Sequence, residues 1–225
     1  MKVLTVLSRA RRRLLPIVYR VALERSSSRG LCRLGTPYGG WWVPSDLLQP
    51  GNVAYCGGVG EDASFDLELA DRGVLVWAFD PTPKAIAYAA TLRDRSNFHF
   101  EPVGWFDAPD VLRFYVPLDP SHASYSAANL QGSSEYVEAQ VDTVANCARR
   151  LGHQHVHVVK MDIEGLAHEV VASILKEGPT VDCLCVEFDQ PSSNTRLVGT
   201  VRLLRRHGYR VAKIEGWNYT FLRVT

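Results

Sequence analysis

The sequence predicts an α/β protein built on a Rossmann-like, mainly parallel, doubly wound sheet with a C-terminal antiparallel hairpin. Three observations carry this. Short apolar runs alternate with helical segments from residue 52 onward. Acidic residues close several of those runs. The last two runs, YRVAKIE (209–215) and NYTFLRV (218–224), are separated only by GW. Strands alternating with helices mean βαβ units and a parallel sheet. The two-residue connection means a hairpin. Ligands of such sheets bind outside the carboxyl ends of the strands.

The elements follow in order. RSSSRG (25–30) is a polar break, so residues 1–30 read as a basic leader or helix and 31–225 as the main domain. Arg9 and Arg11–Arg13 precede LLPIVY, but Pro16, Arg20 and Glu24 interrupt the apolar stretch too early for a signal core or a membrane span. GTPYGGWWVP (35–44) is turn chemistry leading into a short strand. NVAYCG (52–57), GVLVWAFD (73–80) and FHFEPVGW (98–105) read as three buried strands, with helices over 62–72 and 80–94 between them. Thr82 suits the cap of the second helix and Pro83 its first turn. VLRFYVP (111–117) and YVEAQVD (136–142) are strand-like and flank a Ser-, Ala- and Asn-rich stretch, a loop-rich insertion at about 106–135. A helix at 143–151, a strand HVHVVKMD (155–162), a helix 166–178 capped by Gly178, a strand VDCLCVEFD (181–189) and a helix 194–207 complete the alternation.

Composition narrows the classes. The 225 residues are 46% hydrophobic and 22% charged, with a net charge of +1. That suits a globular chain with a real core and points away from nucleic acid as a partner. Five cysteines without a C-x-x-C pair exclude a disulfide framework and a zinc ribbon. Cys183 and Cys185 should face one side of a strand as buried thiols. With no transmembrane candidate, the expected compartment is the cytoplasm.

Acids stand at three strand ends: YCGGVGED (55–62), Asp80, and the pair MDIEG (161–165) with EFD (187–189). Gly58, Gly60 and Ala63 satisfy a G-x-G-x-x-G/A template, and Asp80 lies 20 residues past Gly60. That pattern marks a nucleoside site, the acid taking ribose hydroxyls. A plain strand–turn–helix junction uses glycine for the same steric reason. Glu61 and Asp62 discriminate between cofactors. A pyrophosphate would sit at the first helix's N-terminus, where like charges ~4 Å apart repel by roughly 4 kcal/mol at an effective dielectric of 20. S-adenosylmethionine has no phosphate, and its sulfonium and ammonium tolerate acids. The same acids also suit a helix's first turn without any ligand.

YCGGVGED, AFDPTP (78–83), KMDIEG (160–165) and VEFD (186–189), in this order and spacing, resemble the FkbM-type methyltransferases, and WNYTFLRV (217–224) resembles that family's closing strand. The likeness runs from about Gly35 to Val224. It implies a class I methyltransferase fold, S-adenosylmethionine as methyl donor, and O-methylation of a small-molecule (natural product) or carbohydrate hydroxyl. The loop residues Gly58, Val59, Gly60, Glu61 and Asp62, with Asp80, are then the expected cofactor contacts. The chain departs from the pattern at Cys56–Gly57, where an aromatic is usual before the glycine, and at Asp189, where His is usual.

A hydroxyl acceptor must lose a proton, so a base is required. Asp162, Glu164 and Glu187 are the expected catalytic residues. His168, four residues past Glu164, can share a helix face with it. With Asp189, these carboxylates also suit Mg²⁺ or Ca²⁺. SHASYSAANLQ (121–131) reads as an acceptor lid or as a plain surface loop. His153, His155 and His157 lack an acid or cysteine to complete a metal set. An NAD-dependent oxidoreductase and a non-catalytic binding module are the rival readings.

Overall fold

The computed structural model describes residues 30–92, 95–119, 124–188 and 194–224. Residues 1–29 of the expected 1–30 leader, and Asp189, lie outside the described residues. A seven-stranded sheet organises the molecule. Its strands are β3 (Val53–Gly57), β4 (Leu75–Phe79), β5 (Phe98–Glu101), β9 (His155–Met161), β10 (Thr180–Glu187), β11 (Tyr209–Glu215) and β12 (Asn218–Arg223), in the spatial order β11-β12-β10-β9-β3-β4-β5. β12 is antiparallel to both neighbours, and the pairs from β10 to β5 are parallel. The sheet thus reverses its strand order beside β3, the place where an open parallel sheet leaves a crevice.

Both faces are buried, as the unbroken apolar runs required. On one face Tyr55, Val159, Met161, Leu184 and Val186 pack under α3 (Val144–Leu151), α4 (Ala167–Glu177) and α5 (Asn194–Arg206). On the other, Ala54, Cys56, Val76, Ala78, Val158, Cys183 and Cys185 pack under α1 (Ser64–Asp71) and α2 (Pro83–Ala89). Cys183 and Cys185 do share a face and are fully buried. α3 is closed by Thr143, whose hydroxyl accepts from Asn146 N–H, and by left-handed Gly152. Gly178 follows α4 as expected but with extended backbone, not left-handed.

A hairpin not fully legible in the sequence covers the second face. β1 (Leu31–Leu34) pairs antiparallel with β2 (Trp41–Pro44). β2 lies against β10 and β12, where Thr220 Oγ1 donates to the Trp42 carbonyl at 2.7 Å. The predicted strand 98–105 is split. Pro102 cannot donate to a ladder, Val103 N–H turns back to Glu101 O, and β6 (Gly104–Trp105) leaves the main sheet. It joins β7 (Asp110–Tyr115) and β8 (Tyr136–Asp142) in a small sheet of order β6-β8-β7.

Candidate active site

The carboxyl ends of β3, β4, β9 and β10 open on one cavity of about 240 Å³. The glycine loop forms its floor. Gly58 N–H donates to Phe79 O at 2.9 Å, and Gly58 takes φ +78°. A Cβ there would lie 1.6 Å from the Asp162 carbonyl oxygen, so only glycine fits between the two strand ends. Gly57 is the buried last residue of β3, and the Trp105 ring lies 2.5 Å from where its Cβ would be. Trp105 therefore fills the place a larger residue would take.

Asp80 is the staple of the loop. It is 6% exposed. Its Oδ2 accepts from Val59 N–H (2.9 Å) and Gly60 N–H (3.0 Å). Its Oδ1 accepts from Thr82 N–H (2.9 Å) and the Thr82 hydroxyl (2.6 Å). The Thr82 hydroxyl thus serves Asp80 and makes no cap bond to α2, contrary to expectation. Val59 buries its side chain and offers the loop only its backbone.

Glu61 is exposed at the cavity wall. Asp62 satisfies the start of α1, its Oδ1 accepting from Ser64 N–H at 2.9 Å. Its Oδ2 accepts from the Thr36 hydroxyl at 2.6 Å, which ties the β1–β2 hairpin to the loop. Burial raises the Asp62 carboxyl, but the hydrogen bonds from Ser64 and Thr36 outweigh it and hold the pKa below the usual value. An ionised acid already occupies this helix start, so pyrophosphate has no place there.

Beneath the loop, Lys160 of β9 is 4% exposed and its ammonium donates to Gly58 O. Burial works to neutralise it, yet Asp162 and Asp66 keep its pKa above the ordinary value. Asp66, on α1, is 1% exposed, and neither carboxyl oxygen has a hydrogen-bond partner of normal geometry among the described residues. Burial raises its pKa against the pull of Lys160, and the Cys56 thiol beside it is pushed well up by the same burial.

Across the cavity stand Asp162, Glu164 and Glu187. Glu164 has φ +45°, unusual for a residue with a side chain, and Gly165 follows at +99°. The Ser126 hydroxyl donates to Glu164 O at 2.8 Å, and a Cβ on Gly165 would meet Ala128. The described part of the predicted acceptor loop is therefore packed on this turn, with Ser124 and Tyr125 in the cavity wall.

His168 is not with them. Its Nδ1 bonds Thr200 Oγ1 at 2.7 Å and its ring stacks on Phe188. Burial, with Arg196 nearby, lowers its pKa to about 4. It is neither a cavity residue nor an exposed helix residue. His155 and His157 do find an acid: Asp182, one strand over, lies 2.8 Å from His155 Nε2. His157 Nδ1 already accepts Val53 N–H at 3.0 Å, so protein donors and acceptors engage this cluster. Residues that sequence reasoning passed over are Lys160, Trp105 and Tyr38. Only Lys160 carried a signal, as a lone cation in a buried strand.

The residues fit S-adenosylmethionine on this structure's own terms. Six carboxylates line the cavity against one ammonium, that of Lys160. Trp105 Nε1–H, on a lining residue, is buried without a partner among the described residues. The sheet order with its one reversed strand, and the glycine loop after the central strand, define the class I methyltransferase fold. A sequence profile described as the methyltransferase FkbM domain matches residues 53–211. The chain belongs to the FkbM methyltransferase family.

No curated protein matches the sequence significantly. Among solved structures, the precorrin-6y C5,15-methyltransferase of Geobacter metallireducens GS-15 is similar at TM-score 0.43 and 14% identity, over 80% of this chain and 84% of that one. The magnesium protoporphyrin IX methyltransferase of Synechocystis PCC 6803, solved with bound SAM, gives 0.43 and 14%, over 80% and 73%. An rRNA methylase from Streptococcus thermophilus gives 0.45 and 11%, over 80% and 91%. Among the described residues, no helix is long and apolar enough to cross a membrane.

Proposed function

We propose that the chain methylates a hydroxyl of a small-molecule or carbohydrate acceptor. The observation that supports this reading is the convergence on one cavity of the glycine loop, Asp80 and the carboxylates Asp162, Glu164 and Glu187. S-adenosylmethionine, when bound, supplies an electrophilic methyl group on a sulfonium. Gly58, Val59 and Gly60 leave room for it, and Glu61 and Asp62 favour its positive charge. Asp80 would meet ribose hydroxyls by exchanging bonds it now makes to Val59 and Gly60 N–H. Asp162, Glu164 or Glu187 takes the acceptor's hydroxyl proton, a step that contributes typically 10²–10⁴-fold. Positioning of the two reactants supplies the rest.

His168 is no base in this scheme, because its ring faces Thr200 and Phe188. The same three carboxylates suit Mg²⁺ or Ca²⁺ by ligand chemistry; activity unchanged by EDTA in metal-free buffer would remove that role. The acidic lining supports an acceptor other than nucleic acid, whose phosphates it would repel. The test is calorimetry with S-adenosylhomocysteine, followed by transfer of a labelled methyl to candidate polyols. Folded protein that binds no S-adenosylhomocysteine overturns the proposal. A non-catalytic binding module instead predicts that Asp80→Ala changes no measurable methyl transfer.

A further inference from the structure

The foot of the sheet, at the end away from the cavity, has a charge of its own. β12 is antiparallel to both β10 and β11, so β11 runs with β10, and Tyr209 and Arg223 stand at the amino end of the parallel strands. α5 ends beside them. Arg202, Arg205 and Arg206 lie at i, i+3 and i+4 on this helix and share one exposed face. Arg210 at the start of β11 and Arg223 at the end of β12 are exposed as well. Arg210 Nη1 donates to Arg205 O (3.2 Å) and Tyr209 O (2.9 Å), which joins the helix end to the strand.

No carboxylate among the described residues pairs with any of these arginines, whereas Arg33, Arg72, Arg113, Arg150 and Arg196 each have one. Asp182, the acid on the neighbouring β10, bonds His155 Nε2 at 2.8 Å instead. The helix dipole favours Arg205 and Arg206 in the last turn of α5. It has no bearing on Arg210 or Arg223, which lie on strands. The net charge of the whole chain is only +1, so this edge is a local concentration of one sign and not its share of a general excess.

An anionic surface complements such an edge. Single-stranded nucleic acid would ask for an aromatic platform too, but Tyr209, the ring beside the patch, is 4% exposed and its hydroxyl donates to Val181 O. A protein interface asks for an apolar core, and the one large apolar side chain exposed at this edge among the described residues is Val224. A layer of acidic headgroups asks for neither, because each arginine at its surface adds attraction by charge alone. Residues 1–29 repeat the sign in their sequence, with Arg9, Arg11–Arg13 and Arg20 set around LLPIV, a composition that suits headgroups and the acyl boundary beneath them. We infer that the edge formed by α5, β11 and β12 docks on an anionic lipid bilayer, with the cavity opening at the far end of the sheet. The inference does not depend on the reaction that the cavity performs.

Vesicle sedimentation with the full chain tests it, using vesicles of phosphatidylcholine alone and of phosphatidylcholine mixed with phosphatidylglycerol. The chain should sediment with the mixed vesicles only, and less so as salt is added. The triple variant Arg202→Gln/Arg205→Gln/Arg206→Gln should lower that binding on the order of 100-fold. Arg202→Lys/Arg205→Lys/Arg206→Lys should keep most of it, because the attraction is to charge. Urea midpoints of both variants should lie near that of the unaltered chain, since the three side chains are exposed. No binding to the mixed vesicles, equal binding to both kinds, or a glutamine variant that binds like the unaltered chain overturns the inference. Tighter binding to poly(U) than to the mixed vesicles, per charge offered, assigns the edge to nucleic acid and overturns it as well.

Discussion

Asp80, after β4, and Asp66, on α1, are two buried carboxylates on either side of the glycine loop. Asp80 accepts four hydrogen bonds from Val59, Gly60 and Thr82. Asp66 has no partner of normal geometry among the described residues, only the field of Lys160 and the neighbouring Cys56 thiol. A carboxylate offers about four acceptor sites, and the protein's own donors fill those of Asp80. Asp66 carries the cost of burial with little return, and its pKa rises accordingly. Burial alone therefore does not set a carboxylate's role here. The donors aimed at it do, and of the two acids only Asp80 has them.

The largest effect should come from Asp80→Ala. It strands the buried N–H of Val59 and the half-buried N–H of Gly60, at a cost of about 3 kcal/mol. Urea unfolding should show that loss, and calorimetry should show no S-adenosylhomocysteine binding. Lys160→Met comes next, at about 2 kcal/mol, because Gly58 O loses its donor and Asp66 its counter-charge. If it left stability unchanged, Lys160 would not be what offsets Asp66.

His168 supplies the reference for a neutral buried base. Its pKa is lowered to about 4 from 6.5, so the unfolded chain binds the extra proton between those values. Stability is complete above pH 6.5 and is lost as pH falls toward 4, by about 1–2 kcal/mol after allowance for solvent screening. Urea midpoints at pH 7 and pH 5 should differ less in His168→Phe. Asp66→Asn should have the smallest effect, within about 1 kcal/mol at pH 7. Its raised pKa means the folded state holds the proton longer, so stability falls as pH climbs just above 4, and the substitution should flatten that slope. A loss as large as that of Asp80→Ala would erase the distinction between the two acids.

The parallel half of the sheet was legible because strands buried on both faces leave unbroken apolar runs, as in Val53–Gly57 and Leu75–Phe79. β1 was not, since LCRL places an arginine in a strand that earns its order by docking far away. The departure of Gly104–Trp105 from the third strand had a local sign in Pro102, but its new partner, β8, lies nearly forty residues on. At the site, the acids were readable as strand-end residues. What each one touches was not. Asp80 is defined by amides 20 and 21 residues back, Asp62 by Thr36, and the His155–His157 pair by Asp182 in register on the next strand. Tyr38 reached the cavity through a hairpin whose position depends on both ends of the domain.

That hairpin has a consequence for synthesis. Arg33 Nε pairs with Glu215 at 3.0 Å and Trp42 Nε1 donates to the same carboxylate at 3.2 Å, contacts that span 182 and 173 residues. Contacts of such separation form late, after the intervening chain is in place. During synthesis the entrance beside Tyr38 therefore lacks this anchor until β11, which carries Glu215, has been made.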